Sequence, residues 1–226
     1  MRVVLLLLSI SFAVQAQSEP RQETALSFKG HPVVIQHPKQ LDEYSADGPA
    51  KVCLQTEPQP KCYTAPEHFG RYAKVQLVDL GGKSEALLLS VASGGVTEYP
   101  IHLALLQPDE TERLKNLLPR TVSVSAQSQF RFLSEPELSP SRIFVTATFD
   151  WGLNDSHHGK HRYFISTYVR QFHYDEQEFV YALADRYMTF KSYDRESNQN
   201  IILSELNEIR SRLRRVVPNL PRPPKN

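Results

Sequence analysis

The stretch Ile143-Phe-Val-Thr-Ala-Thr-Phe149 and its successor Tyr163-Phe-Ile-Ser-Thr-Tyr-Val169 decide the fold class. In the first, Ile143, Val145, Ala147 and Phe149 alternate with Phe144, Thr146 and Thr148; in the second, Tyr163, Ile165, Thr167 and Val169 alternate with Phe164, Ser166 and Tyr168. Successive side chains of a strand point to opposite faces, so an apolar period of two marks a strand. A third run, Phe179 to Phe190, is dense in aromatic and apolar residues. Turn formers at Gly152–Gly159 and Tyr174–Glu178 separate the three, which predicts an antiparallel meander.

Working towards the N-terminus, Tyr72–Leu80, Glu85–Ala92 and Thr97–Leu106 carry the same signal. They are broken at Gly81-Gly82 and at Ser93-Gly94-Gly95, where positive φ suits a hairpin. Pro100 lacks an amide hydrogen, which assigns its strand to a sheet edge or a bulge. Residues 17–48 are polar and scattered with Pro and Gly, and only Pro32–Gln36 suits a sheet; they read as a loosely ordered lead-in with one edge strand.

Two helices are expected. Residues 109–118 have acids in the first turn and Pro119 as a stop, predicting a short helix. From Asn200 to Val216, Ile202, Leu206, Ile209, Leu213 and Val216 fall at steps of four and three and make one apolar stripe. Glu208 and Arg212 are spaced to pair, and Arg210, Arg212, Arg214 and Arg215 complement the helix dipole. Two heptads are too few for a coiled coil, so this helix is expected to dock on a sheet. The fold class expected is mainly β (α+β): an antiparallel β-sandwich or strongly curved sheet of six to eight strands. It spans a single domain, 49–216, with the C-terminal helix packed on it and one short helix. Residues 217–226 form a Pro-rich basic tail.

At the other end, Met1-Arg2 precedes an apolar run from Val3 to Val14, and Val14-Gln15-Ala16 ends in small residues. That is the pattern of a signal peptide, residues 1–16, cleaved after Ala16. The run is shorter than the ~20 residues a spanning helix needs. No cysteine follows it to carry a lipid, and no later stretch is long and apolar enough to insert, so the mature chain is expected to be soluble and secreted or periplasmic. The full chain has 26 basic and 25 acidic residues, and losing Arg2 with the leader leaves 25 of each. A balanced charge gives no pull towards nucleic acid or an anionic membrane.

The two cysteines, Cys53 and Cys62, flank a segment holding Pro58 and Pro60. In an oxidising compartment they are expected to form a disulfide that staples a tight loop, and their spacing is not that of a redox Cys-x-x-Cys.

For chemistry, the densest cluster is Asn154-Asp-Ser-His157-His158-Gly-Lys-His161. Imidazoles are good ligands for zinc or copper, so His157, His158 and His161 are the candidate metal ligands. The spacing matches no helical or finger motif, and a histidine-rich loop tip explains it as well. Gly81-Gly82-Lys83-Ser84 lacks the early glycine of a phosphate-binding loop, and Ser90-Val-Ala-Ser93 makes no nucleophile elbow. Asp150 beside Trp151 reads as a strand-end turn, and Asp185-Arg186 as a buried ion pair. Asn154-Asp-Ser156 fits a glycan acceptor in a eukaryotic host. Aromatics crowd the last third, and both faces of the strand from Arg162 carry them. They serve either a sandwiched sheet or a sugar- or protein-binding face. No catalytic residue or bound cofactor is assigned. The function expected is a non-catalytic module of the envelope or extracellular space, with a protein or glycan as partner. The alternative is a metal-binding protein or metal-dependent enzyme built on the histidine loop.

Overall fold

The computed structural model describes residues 20–42, 44–94, 99–109, 113–119, 122–125, 128–149, 160–173, 178–194 and 199–219. The leader at 1–16, Asp150 with Trp151, the acceptor Asn154, His157, His158 and the end of the tail lie outside them.

The period-two segments are strands, and every strand pair is antiparallel. The first sheet is formed by β1 (Arg21–Phe28), β2 (His31–His37), β3 (Lys51–Leu54) and β4 (Lys61–Thr64), in that order. The second holds β5 (Arg71–Gly81), β6 (Ser84–Ala92), β7 (Pro100–Pro108) and β8 (Leu114–Asn116), with β9 (Ser123–Ser125) also on β7. The third orders β10 (Gln129–Leu133), β11 (Ile143–Phe149), β13 (Tyr163–His173) and β14 (Glu178–Met188), so the expected meander is present as β11-β13-β14. A two-stranded ribbon joins β12 (Lys160–His161) to β15 (Tyr193–Asp194). The short strands carry the number past the six to eight expected.

These sheets stack in layers, as the three apolar clusters show. Phe28, Val33, Ile35, Val52 and Leu54 of the first sheet pack on Leu87, Leu89, Ala104 and Leu106 of the second. The other face of the second sheet, with Leu88, Leu103 and Leu105, packs on Phe144, Tyr181, Phe130 and Phe132 of the third. The far face of the third, with Ile143, Val145, Ile165 and Tyr187, is covered by Ile201, Ile202, Ile209 and Leu213. The second sheet is thus covered on both faces, which is why both alternating sets of side chains in β6 and β7 are apolar, Leu87 and Leu89 on one face and Leu88 on the other. Cover on both faces also absorbs several aromatics of the third sheet: Phe144, Phe149, Tyr163, Tyr181 and Tyr187 are buried.

The C-terminal stripe docks as expected, with a break. Helix α1 (Ile201–Ser204) is capped by the Asn200 side chain, which accepts the Leu203 amide at 3.0 Å, and α2 (Leu206–Val216) follows after Glu205. Arg212 Nε lies 2.8 Å from Glu208 Oε1, the i,i+4 pair that the spacing predicts.

Three expectations are corrected. Residues 21–37 are not a loose lead-in with one strand but a two-stranded hairpin, bulged between Thr24 and Leu26. Its two-residue turn, Lys29 (φ +50°) and Gly30 (φ +82°), has positive φ at both central positions, the geometry that matches strand twist. Pro100 does not mark an edge: β7 lies between β6 and β8–β9, and the proline opens the strand where its missing donor is least costly. The short helix expected at 109–118 is replaced, over Leu114–Asn116, by a strand. Leu114, Leu117 and Leu118 have helical spacing and are all buried, yet Asn116 holds the chain extended. Its Oδ1 accepts the Leu105 and Leu118 amides at 2.9 and 3.1 Å, and the Leu117 amide donates to the Leu105 carbonyl at 2.7 Å. Long-range bonds outweigh the local preference for helix.

Cys53 and Cys62 face each other across β3 and β4 and are joined by a disulfide, with the S–S bond at 2.07 Å. No helix among the described residues is long and apolar enough to cross a membrane.

Candidate binding cleft

β5 begins at Arg71, and two glycines beside it, Gly70 just before the strand and Gly94 just after β6, admit no side chain. A Cβ on Gly70 would lie 2.2 Å from the Gly48 carbonyl oxygen; one on Gly94 (φ +108°) would lie 2.1 Å from that of Tyr44. Both contacts are forbidden, so glycine lets the 44–48 loop press its backbone against the start of the strand. Arg71 is enclosed as a result and is only 6% exposed. Its Nε donates to Gln40 Oε1 at 3.1 Å and its Nη2 to the Tyr72 hydroxyl at 2.8 Å. Nη1 is buried and has no hydrogen-bond partner among the described residues, and no carboxylate lies within ion-pairing distance of the guanidinium there. Asp42 feels Arg71 only as the smallest influence on it; hydrogen bonds from Ser45 and Tyr44 are what hold that exposed carboxyl low.

The next residue is strained. Tyr72 has φ +50°, a left-handed conformation that is an outlier for a bulky aromatic, and the β5–β6 ladder slips between Arg71 and Lys74 to admit it. This turns the ring outward: it is 56% exposed, lies under the Arg71 guanidinium at 4.6 Å and is tilted against Tyr99 at 6.1 Å.

These residues form one wall of a cavity of about 500 Å³ between the edges of the first and second sheets. Arg21, Glu23, His37, Pro38 and Gln40 form the other wall, with Ala73 and Lys74 at the floor. A second cavity of about 430 Å³ shares Glu23, Ala73 and Lys74 and runs on past Val75 and Gln76 to Phe130, so the two make one groove along β5. Its charge is uneven. Arg21, Arg71 and Lys74 line it with a single acid, Glu23, whose carboxylate lies 3.6 Å from Arg21 and 3.5 Å from the His37 ring. Burial, with repulsion from Arg21, pushes the His37 imidazole below its ordinary value, leaving it neutral at pH 7.

The residues singled out by sequence lie elsewhere. Of the three histidines, only His161 is among the described residues, and it is 1% exposed with its ring edge-on to Phe149 at 4.6 Å. No group of three metal-ligating side chains converges among the described residues. Asp185 and Arg186 do not pair with each other: Asp185 lies 3.5 Å from Arg212, and the Arg186 guanidinium lies 4.5 Å over the Phe164 ring. Adjacent residues of a strand point to opposite faces, and the two part accordingly. Of the other groups with shifted values, His102, Tyr181, Tyr187 and Tyr193 are buried, and neither they nor Tyr168, Arg170 and Arg210 line the groove.

No family model matches the chain, and neither a curated protein nor a solved structure shows a significant match to it. The groove therefore has to be read from its own residues. Sequence reasoning missed Arg71 and Tyr72 because an arginine at a strand start carries no periodic signal. The one trace was Gly94, which read as an ordinary turn former.

Proposed function

We propose that this chain is an exported, non-catalytic binding domain that takes a protein or glycan ligand in the groove along β5. The observation that carries the reading is Arg71: a permanently charged group, buried at the wall of an open cavity and lacking a carboxylate partner among the described residues. Buried charges are ordinarily paired, and a site that leaves one unpaired is arranged for something that arrives. The strained Tyr72 beside it supports the same reading, since strain of this kind gathers at ligand sites. The cavity size falls within the range of small-ligand clefts. The disulfide agrees with export through the leader at 1–16 and with life in the periplasm or outside the cell.

The test is a screen of the oxidised chain from Gln17 onward against immobilised glycans and peptides, followed by solution titration of each hit. The expected result is saturable binding that weakens in Lys74→Ala, an exposed change on the groove floor. A chain that binds nothing saturably in either class, while turning over a substrate, would sink the proposal.

A further inference from the structure

We infer that the ligand is an acidic saccharide whose carboxylate seats on Arg71 while a sugar ring lies on Tyr72; this rests on the reading of the groove as a binding site. Three observations carry the charge of the ligand. Arg71 lines the cavity yet is buried, and its enclosed Nη1 has no hydrogen-bond partner among the described residues, so its positive charge lacks an acceptor that the fold supplies there. Gln40 and the Tyr72 hydroxyl fix its other nitrogens at 3.1 and 2.8 Å, so the guanidinium is pre-oriented and loses little freedom on binding. Lys74 and Arg21 add positive charge that Glu23 only partly offsets. An oxyanion accepting from Nη1 completes what the fold leaves open.

Two further observations select a sugar over a peptide. The Tyr72 ring is exposed, amphipathic and held by Arg71 and Tyr99, which is the kind of platform on which the apolar face of a pyranose packs. An acidic peptide would bind such a sheet edge by adding a strand, which needs an uninterrupted ladder of amides and carbonyls. The ladder slip between Arg71 and Lys74, with Tyr72 at φ +50°, breaks that ladder at the charged end of the groove.

Calorimetric titration of the oxidised chain tests this with a uronic-acid trisaccharide, its methyl ester, the neutral trisaccharide of the same linkage and a glutamate-rich hexapeptide. The uronate is expected to bind, and the ester and neutral sugar to bind about tenfold more weakly or worse, because a charge-assisted bond is replaced by a neutral one. Arg71→Lys keeps the charge but not the fork and is expected to lose about tenfold for the uronate alone. Tyr72→Gly separates binding from folding. Glycine prefers the conformation at 72, which offsets the loss of the acceptor for Arg71 Nη2, so this variant should remain folded at the titration temperature, as its melting curve checks, while binding every sugar about fivefold more weakly. Equal affinity for uronate and ester overturns the inference, as does an unchanged affinity in Tyr72→Gly. A chain that binds the hexapeptide or the neutral sugar in the groove in preference to the uronate keeps the binding-domain reading and loses this one. A chain that binds none of the four loses this one outright.

Discussion

The Tyr187 hydroxyl donates to the buried Glu205 carboxylate across 3.3 Å, tying the last long strand to the break between the two C-terminal helices. Tyr193 donates to the other carboxylate oxygen. Glu205 is 6% exposed, so these phenols replace the water it has lost. Burial first, and then Glu205, push the Tyr193 phenol up to about 12 and raise Tyr187 as well.

Glu205→Ala is therefore expected to destabilise the fold by about 2–4 kcal/mol, since it leaves two buried hydroxyls short of an acceptor. Glu205→Gln, which keeps an acceptor, should recover a good part of that. Urea unfolding of both, and of each paired with Tyr187→Phe, gives the coupling directly. Additive losses in the double variants would show that the tyrosine bond contributes nothing.

His102 supplies the pH dependence. Its Nε2 lies 2.9 Å from the Tyr63 hydroxyl and its ring is 1% exposed, and burial pushes the imidazole from 6.5 down to about 4. In the unfolded chain the group takes up its proton near its ordinary value, so the unfolded state binds more protons between these two limits. The stabilisation is complete above pH 6.5 and is lost as the pH falls towards 4, amounting to about 3 kcal/mol at most. Unfolding curves at pH 7.5, 5.5 and 4 should show this loss, and His102→Gln should reduce it by that amount. An identical slope in the two proteins would place the acid sensitivity elsewhere.

Cys53 and Cys62 close a short loop between paired strands. The double change to alanine is expected to cost roughly 2–3 kcal/mol through the entropy it restores to the unfolded chain. In calorimetric melting the variant and the parent under reductant should agree with each other, and both should melt below the oxidised parent. Because neither cysteine lines the groove, binding there should persist at temperatures where the variant is folded.

Leu77 and Leu87 are direct partners across β5 and β6, yet one is 46% exposed and the other 0%. Leu87→Ala is expected to cost about 2–5 kcal/mol through the cavity it leaves, and Leu77→Ala well under 1 kcal/mol. Partners across a ladder share a face, so comparable losses at both positions would mean that this face of the sheet is also covered at Leu77 in solution.

Much of the architecture was legible in the residues. Period-two runs marked β5, β6, β7, β11, β13 and β14, and the stripe from Ile202 to Val216 gave the docked helix, because each of these patterns reports a face directly. What failed did so where a local pattern has two physical solutions. Leu114, Leu117 and Leu118 suit one face of a helix, but they also serve a strand followed by a buried turn, and only the bonds from Asn116 to Leu105 and Leu118 choose. The lead-in failed for another reason: Lys29-Gly30 is a hairpin turn, but β1 is mostly exposed and shows little alternation to betray it. The cleft was not legible at all. Arg71 matters because Gly48 and Tyr44, distant in sequence, close over it, and no spacing rule encodes that approach.

The middle position of the β5–β8 sheet bears on how the chain can be cut. A fragment ending near Leu133 would retain the first two sheets but bare Leu88, Leu103 and Leu105, which Phe144 and Tyr181 cover from beyond the cut. The complementary fragment would bare those two rings in turn. Neither half has a finished exterior, so proteolysis or gene truncation in the 134–142 connection should yield two sticky pieces that re-associate or aggregate, not two independent modules.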